Sequence, residues 1–333
     1  METGKAKSGA RYSRRIQWLA VAIVLLGVLY SAGWYGVASF ARATMLERMA
    51  DQAGQGTDID CSDLQVGGYP FRLEVRCSAL NVVRLPERIA VRAGALRSAA
   101  QVYEPRRIVA ELDGPIAIDG APVRDMKLGW SLARASAVID EPLPQRASVE
   151  IDALTVEGAG THLLEAGRAE GHMRQRDAVL DLALRYDGLT LAEALTGRRA
   201  LPPLAGDADI SINDGVSLVA GGVSTLRGVS GEMRRAAIML TPERGLWVSG
   251  FFAIGINGLV NADLDLSLAD PGGLASALKP AFPELAAQID VVAALQPPAT
   301  PGGAAPELKL PLIIRDGVIQ VAFFALGRIP PLD

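Results

Sequence analysis

Residues able to do acid–base or metal chemistry are few in this chain and stand far apart. The sequence holds two histidines and two cysteines, and His162 is ten residues from His172. A metal site needs His, Cys or carboxylate groups that converge, and this spacing does not indicate convergence. Asp263 and Asp265 fall on one face of an alternating segment, where paired carboxylates can do acid–base work. A strand with one hydrated face gives the same pattern, so we expect surface histidines and solvent-facing acids.

Two fragments of known catalytic or binding motifs are incomplete. The segment Asp207–Gly215 is faintly similar to a calcium loop, but Ser211 and Asp214 break the required register. Ser276 and Lys279 match the S-x-x-K of penicillin-binding enzymes, but no K-T-G partner occurs in the sequence. A G-x-S-x-G elbow, a P-loop and a dinucleotide fingerprint are also absent from the sequence. We therefore predict no catalytic, cofactor-binding or metal-binding residues, no cofactor and no enzymatic activity.

The charge distribution argues against a nucleic acid partner. Net charge is −4, and the segment before Ile16 carries five basic residues and one acid, which leaves −8 for the rest of the chain. Phosphate binding needs a basic face, so no nucleic acid partner is expected. The arginine pairs are dispersed and balanced by acids, which favours solvated turn and edge residues over a patch for anionic lipid. These pairs are Arg106-Arg107, Arg198-Arg199 and Arg234-Arg235.

The uncharged stretch Ile16–Phe40 must position everything that follows it. A bilayer core needs roughly 20 apolar residues in a helix, and this stretch provides them. Trp18 lies near one end and Trp34 near the other, at the levels where amphipathic rings prefer the headgroup region. Because the basic segment precedes the stretch, the N-terminus is predicted to be cytoplasmic and the bulk of the chain periplasmic. The sequence thus predicts a single-pass anchor in an inner membrane, with the bilayer as a partner.

Two alternatives to an uncleaved anchor remain open. Signal-peptide apolar regions run about 7–15 residues, and Gly33-Trp34-Tyr35 is a poor cleavage context. Arg14-Arg15 is compatible with a twin-arginine signal, although Ile16-Gln17-Trp18 does not support one. The predicted organisation is a cytoplasmic basic tail (1–15), a transmembrane anchor helix (16–40), a juxtamembrane helix or linker (41–56) and a periplasmic β-rich domain (57–333).

Cys61 and Cys77 flank a strong turn signal. The turn motif consists of Gly68, Tyr69, Pro70, Phe71 and Arg72. A hairpin centred on Tyr69 places Cys61 opposite Cys77, near disulfide reach. An oxidising periplasm would allow the bond to persist. A structural disulfide is expected; free buried thiols and thiol chemistry are the alternatives.

The soluble part is predicted to be mainly β, a large curved antiparallel sheet with short helices. Aromatic residues make up only 5% of the sequence, so the core must be aliphatic. Alternating segments punctuated by Pro and Gly favour antiparallel strands over βαβ units. Predicted helices are Gly188–Gly197, with its body at Thr190–Thr196, Pro271–Leu278 and a continuation over Glu284–Leu295; predicted hairpin turns are Asn257-Gly258 and Asp316-Gly317; Gln296–Pro306 is a predicted loop.

An ordered set of short segments carries a family resemblance over nearly the whole chain. These segments are Ser13–Ile16, Gly33–Tyr35, Gly68–Arg72, Ala100–Tyr103, Glu111–Pro115, Trp130, Ile314–Gly317 and Gly327–Leu332. Together they resemble the bacterial family catalogued as domain of unknown function 2125. That resemblance implies a membrane-anchored envelope protein and supplies no established activity. The run of strands also resembles, at the level of fold only, the AsmA-like periplasmic lipid-handling β-proteins.

Strands with aliphatic residues on one face predict a concave apolar surface, which fits an acyl chain. We therefore expect the protein to bind or escort an envelope lipid. The alternative is a non-enzymatic structural or interaction module, whose sheet edges recruit another envelope protein.

Overall fold

The computed structural model describes residues 9–86, 88–120, 125–223, 225–295, 307–322 and 324–332. The basic tail up to residue 8 and the expected loop Gln296–Pro306 lie outside the described residues. The helices are α1 (Gly9–Gly54), α2 (Gly215–Ala220), α3 (Pro271–Leu278) and α4 (Ala286–Ala294), with a short 3-10 turn at Pro283–Leu285. The strands are β1 (Thr57–Ser62), β2 (Gln65–Gly67), β3 (Arg72–Cys77), β4 (Ala79–Arg84), β5 (Ile89–Ala93), β6 (Leu96–Gln101), β7 (Glu104–Leu112), β8 (Ile116–Asp119), β9 (Met126–Gly129), β10 (Leu132–Val138), β11 (Arg146–Gly158), β12 (Thr161–Arg176), β13 (Val179–Leu191), β14 (Leu204–Ile212), β15 (Ser230–Thr241), β16 (Arg244–Ile254), β17 (Val260–Ala269), β18 (Glu307–Arg315), β19 (Val318–Val321) and β20 (Phe324–Arg328).

Helix α1 is one continuous element of 46 residues. It contains the apolar stretch Ile16–Phe40 and continues to Gly54, which confirms the predicted helical continuation beyond the stretch. Gly56, with φ of 87°, lies two residues after Gly54 and lets the chain turn into β1. Within the part of the chain that the structure describes, α1 is the one helix long and apolar enough to cross a membrane. It fits a single-pass anchor or a signal sequence.

The twenty strands form one open antiparallel sheet, as predicted. β1 and β2 are two parts of one long pass, because they pair with β4 and β3 in the same register, from Thr57↔Arg84 to Gly67↔Glu74, with a gap in the pairing after Ser62. The next four passes are also divided into two strands each, at Ser78, Gly94, Gly114 and Trp130. Each pass then pairs with the next one along the chain, which gives an up-and-down meander.

Alternation along the strands gives the sheet one apolar and one charged face. On β13, Leu180, Leu182 and Leu184 point to one side, whereas Asp181 and Arg185 point to the other. Because directly paired residues lie on the same face of the sheet, the apolar face and the charged face continue from each strand to the next. One row of directly paired residues on the apolar face is Ala110, Ala135, Val149, Gly171, Leu184, Ala208, Ala236, Val248, Leu266 and Leu310.

Short helices cover two parts of the apolar face. Leu274 of α3 is buried in a cluster with Leu268 and Leu308 of the sheet. Asp270 caps α3, since its carboxylate accepts a 3.0 Å hydrogen bond from the Gly273 N–H group. At another place α2 lies close to the fully buried Leu180. A Cβ added at Gly215 would stand 2.7 Å from the Leu180 Cβ, so only glycine allows this approach.

The helix predicted over Gly188–Gly197 is wrong. β13 runs through Leu191, and only turns follow it up to Gly197. Leu189 pairs with Leu204 and Leu191 with Leu164, so tertiary pairing overrides the helical tendency of the segment. Conversely, α2 forms where no helix was predicted.

Other local predictions are confirmed. Helix α3 has the predicted bounds Pro271–Leu278, and α4 lies inside the predicted continuation. Asn257-Gly258 lies in the turn between β16 and β17. Asp316 and Gly317 both have positive φ, as a two-residue hairpin turn requires.

Candidate functional site: an apolar groove and a helix–hairpin junction

A groove of about 620 Å³ lies on the apolar face, apart from the parts that α2 and α3 cover. Among the residues that the structure describes, no Asp, Glu, Lys or Arg lines it. Leu184 is 50% exposed and Val149 is 42% exposed, so large aliphatic side chains stand open in the groove. Its apolar lining consists of Ile108, Ala110, Ala135, Ala137, Ala147, Val149, Gly171, Met173, Leu182, Ala183, Leu184, Ala208 and Ile210.

Side-chain size explains why a depression forms here. The central strands contribute small residues, among them Ala135, Ala147 and Gly171, while larger residues such as Leu182 and Ile210 lie on the strands to one side. A Cβ added at Gly171 would lie 3.1 Å from the Val149 Cγ1, so a side chain there would crowd the groove. The groove therefore follows from residue size on a face whose apolar character comes from strand alternation.

The opposite face carries cross-strand ion pairs around a second depression of about 730 Å³. Arg97 donates to Asp113, and this pairing lowers the pKa of the Asp113 carboxyl. Arg134 lies 3.2 Å from Glu111 on the neighbouring strand. Because positive and negative side chains alternate there, this depression is a hydrated, charge-balanced surface and not a site for one sign of ligand.

Asp181 is the most enclosed acid of this charged face. Arg176 donates two hydrogen bonds to it, at 2.5 and 2.9 Å, and Ser211 donates another at 2.6 Å. Arg234 adds a contact at 3.4 Å. The hydrogen bonds from Arg176 first, and then the one from Ser211, hold the pKa of Asp181 well below its usual range, against the opposing effect of burial. The same network holds the arginine side chains in place.

The structure disperses the histidines and carboxylates considered for chemistry. His172 Nδ1 lies 2.9 Å from the Ser148 Oγ, and His162 lies beside Glu165 at 4.0 Å. Asp263 accepts a 2.6 Å hydrogen bond from Arg315. Among the described residues, no group of three or more His, Cys, Asp or Glu is arranged to hold a metal ion.

The two motif fragments also have local partners. In the segment similar to a calcium loop, Asp207 accepts a hydrogen bond from Arg235 at 2.9 Å. In the S-x-x-K fragment, the Ser276 hydroxyl donates to the Gly272 carbonyl at 2.9 Å, and Lys279 pairs with Asp290. Each polar group is thus engaged within its own part of the fold.

Cys61 and Cys77 form a disulfide, as predicted, with their Cα atoms 5.2 Å apart. The predicted register was wrong. The hairpin is centred between Pro70 and Phe71 and not on Tyr69, so Cys61 is directly opposite Leu80. The ladder is interrupted after Ser62, and this irregularity lets a diagonal pair of cysteines meet. The bond indicates an oxidising compartment.

The predicted turn motif docks on α1 and forms the helix–hairpin junction. Trp34, only 7% exposed, donates its indole N–H to the Arg72 carbonyl at 3.2 Å. The Ser31 hydroxyl lies 2.8 Å from the Tyr69 hydroxyl, and Tyr30 donates to the Pro70 carbonyl. Rings add to the contact, because Tyr69 packs edge-on against Trp34 with centroids 5.5 Å apart.

Gly68 is required at the start of this turn. Its φ is 100°, and an added Cβ would lie 2.8 Å from the Arg72 carbonyl oxygen. The sequence pattern identified the motif as a turn, but we did not predict from it that the turn contacts α1. The aromatic residues at the end of the apolar stretch could have indicated this contact, because the turn is also aromatic.

The fold and the junction together fit one class of protein, a β-domain anchored to a membrane by a single N-terminal helix. A family model of proteins described as uncharacterized and conserved in bacteria (DUF2125) matches residues 34–330, nearly the whole chain. The chain belongs to this DUF2125 family. A search of curated proteins and a search of solved structures return no significant match.

Proposed function

We propose that this chain is a single-pass inner-membrane protein whose sheet lies in the periplasm and binds an acyl chain of an envelope lipid in the apolar groove. The observation that carries this proposal is the groove itself, an uncharged strip of the apolar face lined by exposed Leu184 and Val149. Its volume of about 620 Å³ is within the range of ligand sites, roughly 300–1,000 Å³.

The topology has two supports. Basic residues precede the apolar stretch Ile16–Phe40, and positive charge favours the cytoplasmic side of a membrane. The Cys61–Cys77 disulfide suits an oxidising space on the other side. In this topology residues 1–15 are the cytoplasmic tail, 16–40 the span, 41–56 the juxtamembrane helix and 57–333 the periplasmic domain.

Binding in the groove involves no chemical step. An acyl chain removes aliphatic surface from water, and each Å² of apolar surface removed is worth about 25 cal/mol. The polar pairs of the charged face are not needed for this, since they belong to the other side of the sheet. The proposed activity is therefore non-enzymatic binding or escort of lipid, without nucleic acid or cofactor.

Photocrosslinking at neighbouring residues of β13 tests this proposal. The photoreactive residue p-benzoyl-phenylalanine replaces Leu184, which lines the groove, or Arg185, which belongs to the charged face of the same strand and does not line the groove. After irradiation in bacterial envelopes, we expect phospholipid adducts at position 184 and none at position 185. Equal labelling at the two positions, or labelling at 185 alone, would contradict binding in the groove.

A second candidate function is protein interaction through the free edge of the sheet. β20 pairs with β19 alone among the described strands, and all five of its residues are exposed. Exposed edges recruit strands of other chains. Crosslinking with pull-down from envelopes separates the candidates: a stoichiometric protein partner that Leu326→Lys removes, with no bound lipid, favours the interaction module.

A further inference from the structure

We infer that the helix–hairpin junction makes a second contact with the bilayer, through the β2–β3 turn and the adjacent β6–β7 turn. The two turns are neighbours, because the Val102 N–H donates to the Phe71 carbonyl at 3.0 Å. Phe71 is 68% exposed and Tyr103 is 76% exposed. The inference rests on the proposed membrane anchoring, but it does not depend on lipid in the groove.

The position of the junction along α1 sets its depth. The hydrocarbon core of a bilayer is about 30 Å thick and takes about 20 residues of helix. Counted from Arg15, this length ends at Trp34–Tyr35. The β2–β3 turn contacts α1 at Tyr30, Ser31 and Trp34, which brings it to the level where the hydrocarbon ends.

The exposed side chains match that level chemically. Aromatic residues are enriched where hydrocarbon meets headgroups, and both turns carry them. Single exposed apolar residues are ordinary on protein surfaces, but here Tyr69, Phe71, Val102 and Tyr103 stand together on two hydrogen-bonded turns beside a spanning helix. Arg72 follows Phe71, and its guanidinium lies 3.5 Å from Glu74 but is largely exposed, so a lipid phosphate can also reach it.

A contact of this kind would hold the sheet at a fixed height. The helix alone is one attachment, about which the sheet could tilt. Turns seated in the headgroup layer add a second attachment on the first and third hairpins of the meander. The apolar face would then keep a constant orientation relative to the membrane surface.

Photocrosslinking in nanodiscs of phosphatidylethanolamine and phosphatidylglycerol tests this inference on the full chain. The photoreactive residue p-benzoyl-phenylalanine replaces Phe71, a change that keeps the phenyl ring and adds a benzoyl group at an exposed position. It replaces Phe251 as the matched control, because Phe251 is 65% exposed but lies on the charged face in β16. It replaces Leu26, an exposed residue of the apolar stretch, as the positive reference for membrane insertion.

We expect lipid adducts at positions 26 and 71 and none at position 251. An adduct at 26 without one at 71 would overturn the second contact and leave the anchor standing. No adduct at 26 would overturn the anchor and the second contact together. Equal yields of lipid adduct at positions 71 and 251 would also overturn the inference, because they would show that lipid contacts the turn no more than it contacts the charged face. Lipid binding in the groove is tested separately, by photocrosslinking at position 184.

Discussion

At the residue scale, Asp181 shows how strand alternation produces a charged face with defined contacts. Its carboxylate lies on the strand position between Leu180 and Leu182, so the same alternation that builds the apolar face aims it at the arginines. Two of those arginines are on other parts of the chain, Arg176 across a turn and Arg234 on β15. The charge pattern was visible in the sequence, but the partners depend on the register of three strands.

Replacing Asp181 with asparagine should destabilise the fold in a pH-dependent way. D181N loses charge-assisted hydrogen bonds, and we expect the free energy of unfolding at neutral pH to fall by about 2 kcal/mol. The folded-state pKa of Asp181 is depressed, so its stabilisation is present above the ordinary carboxyl value of 3.8. It is lost as pH falls below that value towards the folded-state pKa. The D181N deficit should therefore shrink below about pH 4.

Chemical denaturation at several pH values measures this effect. Asp187→Asn is the matched control, because Asp187 lies on the same face of β13, is half exposed and meets Arg185 only at 3.7 Å. The Asp187→Asn variant should lose no more than about 1 kcal/mol of unfolding free energy at any pH. A D181N deficit that is as small as the control's, or that is unchanged at acidic pH, would contradict the role given to Asp181.

At the scale of elements, local signals predicted most of the fold. Alternation located the strands, Pro271 located α3, and Asp316-Gly317 located a hairpin, because each depends on neighbouring residues alone. The segment Gly188–Gly197 was misjudged because Leu189 and Leu191 are held by partners on other strands. The register of the first hairpin was misjudged because the turn closes between Gly68 and Arg72 and is held by contacts with α1, which sequence spacing does not report.

The Cys61–Cys77 disulfide should stabilise the first hairpin. It closes a loop across a sequence separation of 16, and constraining an unfolded loop of this size is worth about 3 kcal/mol. We expect C61A/C77A to lower the free energy of unfolding by about that amount, and its stability to be insensitive to reductant. Wild-type protein should lose the same amount on reduction. Equal stability of reduced and oxidised wild type would contradict this prediction.

At the scale of the whole molecule, the meander separates an apolar face from a charged one. The sequence predicted this separation, because it follows from the strand period of two. It predicted a concave apolar surface but could not locate the groove, since the open strip also depends on where α2 and α3 pack on the same face. Nor could it predict that α1 packs beside β1 and β2, where it covers one edge of the sheet while β20 leaves the other open.

Native mass spectrometry of the full chain tests whether the apolar groove holds lipid. Protein purified in detergent is stripped of lipid and then challenged with envelope phospholipids. The variants are Leu184→Glu, which places a charge in the groove, and Phe251→Glu, which places one at a similarly exposed position on the charged face. We expect wild type and F251E to retain one lipid under gentle activation and L184E to retain none. Wild type that retains no lipid, or L184E that retains it as well as F251E, would contradict the claim.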